Sequence, residues 1–420
     1  MEPIVGFFLL LAIMAFLFTT EIIPLAVTSL SGAGICWIAG YISIDYVILG
    51  MKNPTVLFFI GMYIIGAALL RTGVAQQIGH TIVKTCGTSE NEIMFGLMIS
   101  ATLLSAVLSN TGTTAVLMPL ALGISYSAKI SPSRQLMPLA FACSWGGLLT
   151  LMGSPSNVIA NSALKASHLS KFSFFEFAYI GIPLSVVGII YMMLLGKKML
   201  PKEERKNRFN NICPEDFESL NLKQIIPVVM LISIIIVMAL DVRVIPLELA
   251  AILGATICLI FRCLTVKQAF RSVDWDAIFL FFGMICVAEA MNQTGASHFI
   301  AKMGVTWGNS SQNPLLVMII LFGISCSLTQ FMPNIASTML LCPIGIAIAQ
   351  VLKINPNPFV MAIIVASTCS YATPIGSPSN IMILNYGHYS FKDYLKVGSG
   401  LVVISFLISV FLIPLIWPFF

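Results

Sequence analysis

The chain has 420 residues, of which 58% are hydrophobic and only 9% are charged. A soluble domain carries about 25% charged residues and about 45–50% apolar ones, so this composition excludes a soluble protein and predicts an integral membrane protein in a lipid bilayer. The net charge of +5 is attributed to basic residues between membrane spans, and no nucleic-acid partner is expected.

Apolar runs mark the predicted straight helices. A membrane-crossing helix needs about 20 apolar residues, and eight apolar runs with at most one charged residue each approach that length. They lie at about residues 4–19, 22–40, 54–70, 177–196, 223–240, 244–261, 277–291 and 397–418. The first run has neither a basic segment before it nor a small-residue cleavage site, so it is expected to be a retained helix.

Other uncharged stretches are too long for one straight helix, and Asn, Pro, Gly or Ser interrupts each of them. We predict helical hairpins at 93–128 and 314–352 and broken helices at 135–167 and 358–388. The pentapeptide Gly-Ser-Pro-Ser-Asn stands in both broken helices, at residues 153–157 and 376–380. Irregular backbone at membrane depth is tolerated only where it is buried in protein or lines a cavity, so a matched pair of breaks predicts the binding site of a carrier.

The two halves of the chain share matched residues. Gly61 and Gly283 stand 222 positions apart, and Asn110 and Asn334 stand 224 apart. We predict a first repeat at 1–196, a connector at 197–222 and a second repeat at 223–420. If a hairpin returns to its own side and a broken helix crosses once, each repeat crosses five times, which inverts the second copy. The expected fold is an all-α membrane protein of two inverted five-helix repeats with re-entrant hairpins.

Basic residues predict the orientation. The connector carries six of them: Lys197, Lys198, Lys202, Arg205, Lys206 and Arg208. The positive-inside rule places it in the cytoplasm and both termini outside, in the cell (inner) membrane. Lys52 and Lys353 fall on the opposite side. The hairpins then enter from opposite faces and their tips approach each other near the midplane.

The hairpin tips carry the polar residues with the clearest chemistry. The first tip contains Ser109-Asn110-Thr111 and the second contains Pro333-Asn334-Ile335. An Asn amide can face a cation and an anion together. Helix N-termini at the breaks suit an anion, and unwound carbonyls suit sodium. Isolated polar residues in membrane helices more often hold helices together, at about 0.6 kcal/mol per bond, but two matched tips and two matched breaks favour a binding site.

This arrangement resembles the divalent anion/sodium symporter (DASS) family of the ion transporter superfamily, over essentially the whole chain. The resemblance implies a first sodium site at Ser105, Ser109, Asn110 and Gly153. It implies a second at Thr329, Met332, Asn334 and Gly376, with Met332 and Gly376 contributing backbone. The residues expected to bind substrate are Asn110, Thr111, Asn334, Ser154 and Ser377. The resemblance also implies a homodimer and an elevator motion of a transport domain against a scaffold.

The chain departs from the family pattern in two places. The second tip, which is normally Ser-Asn-Thr, has Pro333 and Ile335 on either side of Asn334, and Ile335 removes an expected substrate contact. The family also usually has one more helix before the first repeat.

The resulting hypothesis is a sodium-coupled secondary active transporter of a small divalent anion, with a dicarboxylate favoured. Within the same fold, a sulfate or other oxyanion permease, a sodium-independent anion exchanger, and arsenite or proton-linked antiport stay open. An enzyme is disfavoured because no nucleophile–base pair is visible, and the ten cysteines form no CxxC pair. A receptor or regulator without transport is also open, although the connector is too short for a soluble signalling domain. Sodium is the only expected cofactor.

Overall fold

The computed structural model describes residues 3–20, 22–51, 53–87, 89–167, 169–201, 222–239, 246–296, 299 and 313–420. Within them the regular secondary structure is entirely helical. The helices are α1 (Pro3–Thr20), α2 (Leu25–Ile38), α3 (Ile44–Met51), α4 (Pro54–Arg71), α5 (Val74–Cys86), α6 (Glu90–Ser105), α7 (Asn110–Ser127), α8 (Ser133–Gly146), α9 (Pro155–Ala166), α10 (Ala178–Met199), α11 (Leu222–Ala239), α12 (Leu247–Ile260), α13 (Val266–Ser272), α14 (Trp275–Gln293), α15 (Pro314–Leu328), α16 (Asn334–Leu352), α17 (Asn357–Thr368), α18 (Pro378–Leu384) and α19 (Phe391–Ile416).

The predicted all-α membrane fold is confirmed. Each of the eight apolar runs coincides with a helix, with ends that differ by a few residues. Among the described residues, five helices are long and apolar enough to cross a membrane: α4, α10, α14, α16 and α19. The fourth of these, α16, is one arm of the segment predicted as the second hairpin.

Three short helices were not predicted from the sequence. α3 and α13 have 8 and 7 residues, so neither produces an apolar run of spanning length. α5 combines Val and Ile with His80 and Lys84, which removes it from a search for uncharged segments. Each of them immediately precedes or follows a straight span.

Two pairs of straight helices pack through matched glycines. α4 packs along α12 and α2 packs along α14. A Cβ on Gly61 would lie 2.5 Å from the backbone carbon of Ala251, and one on Gly283 would lie 2.5 Å from that of Ser29. Ser29 and Ala251 are themselves 222 positions apart, as are the two glycines. Small residues let membrane helices approach backbone to backbone, and the same close contact occurs twice, which supports the proposed duplication.

The arms of the predicted hairpins pack against the predicted broken helices. α6 and α7 pack on α8, while α15 and α16 pack on α17. The halves also cross over, because α9 contacts α16 and α18 contacts α7. The hairpin arms and broken helices of the two halves therefore contact each other. Residues 202–221 of the predicted connector and Lys52 lie outside the described residues, and the division into two inverted repeats stays a prediction.

Candidate functional site

Two tips join the arms of the predicted hairpins. The first tip is residues 106–109 and the second is residues 329–333. Ser109 caps α7 in an extended conformation, and its hydroxyl accepts a hydrogen bond from Gly112 N at 3.2 Å. Pro333 takes the same position before α16, without a side-chain cap. Both helices consequently begin at an asparagine, Asn110 or Asn334.

Two breaks interrupt the predicted broken helices. The first break is residues 147–154 and the second is residues 369–377. Ser154 (φ −139°, ψ 136°) and Ser377 (φ −140°, ψ 133°) have nearly the same extended conformation. Each precedes a proline, which disfavours helix in the residue before it and is well suited to start the next helix. The repeated Ser-Pro thus ends each break in the same way.

The last residue of each pentapeptide braces its break. Asn157 Nδ2 donates to the carbonyls of Gly147 and Thr150, both at 2.8 Å. Asn380 Nδ2 donates to the carbonyls of Ser370 at 2.8 Å and Thr373 at 3.1 Å. Sequence reasoning assigned no role to these side chains, although the repeated motif contained both asparagines.

Four oxygen-bearing groups converge beside the first tip, and we call them the first cluster: Ser105, Asn110, Cys143 and Gly153. Ser105 Oγ lies 2.7 Å from the carbonyl oxygen of Cys143 and 2.9 Å from the Asn110 amide. The same amide atom lies 3.0 Å from the Cys143 carbonyl and 3.3 Å from the Gly153 carbonyl. Three of the four predicted first-site residues are therefore together.

The second cluster repeats the first residue for residue: Thr329, Asn334, Ser367 and Gly376. Thr329 Oγ1 lies 2.6 Å from the Ser367 carbonyl oxygen and 3.0 Å from the Asn334 amide. That amide atom lies 2.8 Å from the Ser367 carbonyl and 3.2 Å from the Gly376 carbonyl. The carbonyls of Cys143 and Ser367 were missed because a backbone oxygen has no sequence signature. Their shared distance of 38 residues from Ser105 and Thr329 becomes visible only in the structure.

The donor set of each cluster is made of neutral oxygens. It offers one hydroxyl, one side-chain amide and two backbone carbonyls. Among the described residues no group of three or more His, Cys, Asp or Glu could hold a metal. Calcium and transition metals prefer carboxylate, imidazole or thiolate ligands, whereas unwound carbonyls suit a monovalent cation such as sodium. Each cluster can therefore hold a weakly bound monovalent cation.

The other predicted sodium residues lie beside the clusters. The hydroxyl of Ser109 caps α7, as described above. Met332 is fully buried, and its backbone N–H donates to the carbonyl of Leu328 at 3.1 Å. Their roles stay predictions.

A cavity of about 350 Å³ adjoins the first tip. Its wall includes Ser109 from the tip, Thr111 and Gly112 from the first turn of α7, and Pro155 from the start of α9. Apolar side chains of α4 form much of the rest: Phe58, Phe59, Met62, Ala67 and Leu70. A molecule in this cavity would contact both the tip and a straight span.

Only one predicted substrate residue is among the described residues that line this cavity. It is Thr111, which is exposed. Ser154 and Ser377 are buried, and Ile335 is half-buried at the second tip. Asp274 also lines the cavity and caps α14 by accepting a hydrogen bond from Ala277 N at 2.9 Å. Because the Asp274 carboxylate would repel an anion, an anion in the cavity would favour the end at Thr111.

The helical membrane fold and the paired clusters at broken helices define a multi-pass membrane transporter. The citrate transporter family (CitMHS) matches residues 14–350 and 336–419 of the chain, and the chain belongs to that family.

Relatives extend over nearly the full length. The uncharacterized transporter YfbS of Escherichia coli (strain K12) is 23% identical and covers 98% of each chain. The sodium-dependent dicarboxylate transporter SdcS of Staphylococcus saprophyticus is 23% identical, over 95% of this chain and 83% of that protein.

Two solved structures share the fold. The Alcanivorax borkumensis YdaH transporter aligns with a TM-score of 0.65 at 12% identity, over 99% of this chain and 98% of that one. MtrF of Neisseria gonorrhoeae, described as illuminating a class of antimetabolite efflux pumps, aligns with a TM-score of 0.60 at 13% identity, over 98% and 94% of the two chains.

Proposed function

We propose that this protein is a sodium-coupled symporter of a small divalent organic anion, a dicarboxylate first, of the divalent anion/sodium symporter type. The observation that carries the proposal is the duplicated cluster of neutral oxygens, with Asn110 at the centre of one copy and Asn334 at the centre of the other. The name of SdcS, a sodium-dependent dicarboxylate transporter, supports the same choice of ion and substrate. A homodimer, with the connector in the cytoplasm, belongs to this proposal.

The central amides explain how each cluster can exist both with and without a bound cation. With the nitrogen turned inward, the two N–H groups of Asn110 face three acceptors, Ser105 Oγ, Cys143 O and Gly153 O, so the cluster has donors without a cation. With the oxygen turned inward, four oxygens face one another and a cation is required to offset their repulsion. Asn334 has the same two orientations. A turn of the amide thus connects ion binding to the start of α7 and of α16.

The cavity beside Thr111 supports an organic anion over sulfate. Its wall supplies aromatic and aliphatic surface from α4, which stabilises a hydrocarbon body by burial. Sulfate has no such body and needs polar partners on every side, because an unpaired buried charge is costly. Among the described lining residues, polar side chains are few: Tyr63, Ser109, Thr111, Ser272 and Asp274.

Replacing Thr111 with alanine should weaken substrate affinity by about ten- to a hundredfold and leave sodium affinity nearly unchanged. Thr111 lines the cavity but is not part of the first cluster, and a hydrogen bond from its hydroxyl to a charged group would contribute about 1.5–3 kcal/mol. Concentration dependence of uptake measures both affinities. Thr111→Ser retains the hydroxyl and serves as the control. Equal affinities in Thr111→Ala and wild type would remove Thr111 from the substrate site.

Uptake of a dianion should be insensitive to membrane potential. Two clusters carry two positive charges, which balance the substrate, whereas each uncompensated charge contributes about 2.3 kcal/mol per 100 mV. A potassium diffusion potential imposed with valinomycin on proteoliposomes measures this directly. Strong stimulation by an inside-negative potential would show that more than two cations accompany each dianion.

The function is tested by counterflow and uptake of labelled succinate, citrate and sulfate in proteoliposomes, with and without a sodium gradient. We expect sodium-dependent accumulation of an organic dianion. A tenfold sodium gradient supplies about 1.4 kcal/mol per ion. Accumulation of sulfate alone would favour the oxyanion alternative, and sodium-independent exchange would favour the exchanger.

A further inference from the structure

The segment that leads from the cluster into the break differs in length between the halves. In the first half, the carbonyl of Cys143 contacts Ser105 and that of Gly147 accepts from Asn157. In the second half, the carbonyl of Ser367 contacts Thr329 and that of Ser370 accepts from Asn380. The corresponding carbonyls are four residues apart in the first half (143 to 147) and three apart in the second (367 to 370). This segment is therefore one residue shorter in the second half.

This difference changes how the backbone is satisfied. In the first break, Leu148 N donates to Trp145 O and Leu149 N donates to Gly146 O, both at 3.0 Å. In the second break, the amide of one side chain takes over this role. Gln330 Nε2 donates to Cys369 O at 2.8 Å, and Gln330 Oε1 accepts from Ala372 N at 3.2 Å.

The remaining bonds of Gln330 connect it to the second cluster. Its second N–H donates to Cys326 O in α15 at 3.0 Å, so both N–H groups and the oxygen of its amide are bonded. Its backbone carbonyl accepts from Thr373 Oγ1 at 2.5 Å, and that hydroxyl in turn accepts from Gly376 N at 3.2 Å. Gln330 directly follows Thr329 in the chain and is connected through Thr373 to Gly376. It therefore links two members of the second cluster, Thr329 and Gly376.

The first half has no such side chain. The residue 224 positions before Gln330 is Ala106, whose carbonyl accepts from Thr150 Oγ1 in the same way. The backbone bond between tip and break is thus shared by the two halves, as are the braces from Asn157 and Asn380, while a side-chain brace from the tip is present at Gln330 and absent at Ala106.

We propose that Gln330 is a positioning residue that holds the second break in its cation-binding shape before the cation arrives, so that the two cation sites are unequal. The inference rests on the proposed sodium coupling. The backbone next to the second site is held by the Gln330 amide. The matching backbone next to the first site is held by turns at Leu148 and Leu149. A brace that is formed in advance lowers the ordering cost of binding. Gln330 itself contributes no ligand to the cation.

The test is the sodium dependence of succinate uptake by Gln330→Met, which keeps length and approximate volume but loses both N–H groups and the acceptor. We expect the half-saturating sodium concentration to rise roughly tenfold, while the maximal rate at saturating sodium returns close to wild type. Ser327→Ala is the matched control, because that exposed hydroxyl at the end of α15 donates only to Gly323 O within its own helix.

Gln330→Glu separates a brace from a ligand. An ionised carboxylate cannot donate to Cys369 O or Cys326 O. We therefore expect the half-saturating sodium concentration to be higher in Gln330→Glu than in wild type. A half-saturating sodium concentration below the wild-type value in Gln330→Glu would show that residue 330 is a direct ligand, and this would overturn the proposal. A maximal rate that stays low at every sodium concentration in correctly inserted Gln330→Met would show a purely structural role and also overturn it. Wild-type uptake without any sodium dependence would instead refute the proposed function.

Discussion

Replacing Asn110 or Asn334 with alanine is expected to abolish sodium-driven uptake while the protein still inserts into the membrane. Each amide lies at the centre of a cluster and is within 3.3 Å of three oxygen atoms of its neighbours. Alanine removes the central amide, which can offer either hydrogen-bond donors or an acceptor. The carbonyl of Gly153 or Gly376 would then lose the amide as a partner, and leaving a buried polar group unpaired costs about 1–3 kcal/mol.

The measurement is succinate uptake into proteoliposomes, with insertion checked by the yield of monodisperse protein. Asn385→Ala is the control, because Asn385 is an exposed residue that follows α18 and lies outside both clusters. We expect uptake near the wild-type level for Asn385→Ala and uptake at background for the two cluster variants. Wild-type sodium dependence in well-folded Asn110→Ala would refute the assignment of the first cluster.

The positions of the helices could be predicted because apolar composition and helix-breaking residues act locally. Apolar runs with little or no charge predicted the straight helices. Pro155 and Pro378 marked the points at which α9 and α18 begin. The predicted duplication rests on matched residues, and two of them, Gly61 and Gly283, lie in close contacts that leave no room for a Cβ. Both kinds of signal depend on the identity of a side chain or on the absence of one.

The rest of the site could not be predicted, because it depends on backbone atoms and on a difference between the halves. The carbonyls of Cys143 and Ser367 face the central amides whatever side chains those residues carry. Gln330 has no counterpart in the first half, where Ala106 takes its place, so a search for repeated motifs passes over it. Its contacts became visible only in the structure, where the segment from Ser367 to Ser370 is one residue shorter than the segment from Cys143 to Gly147.

Replacing Gly376 with alanine is expected to eliminate the second cation site, and Gly153→Ala should have a smaller effect on the first. A Cβ on Gly376 would meet the carbonyl oxygen of Thr329 far inside van der Waals contact and would lie 2.8 Å from Ser370 Cβ. A Cβ on Gly153 would lie 2.8 Å from Gly147 O and 2.9 Å from Ser105 O. Overpacking of this kind costs about 1–3 kcal/mol.

The clash at Gly376 acts on the site directly, because relieving it moves the second break away from the end of α15. The carbonyl of Gly376 then leaves the Asn334 amide, which it contacts at 3.2 Å, and the cluster opens. Sodium-dependent uptake should fall to background in Gly376→Ala and fall partially in Gly153→Ala. Gly323→Ala is the matched control, since a Cβ there meets nothing within 4 Å and a helical alanine is favoured over glycine by about 1 kcal/mol. Equal, near-normal sodium dependence in Gly376→Ala and Gly323→Ala would show that the close approach of Gly376 to Thr329 is not needed for coupling.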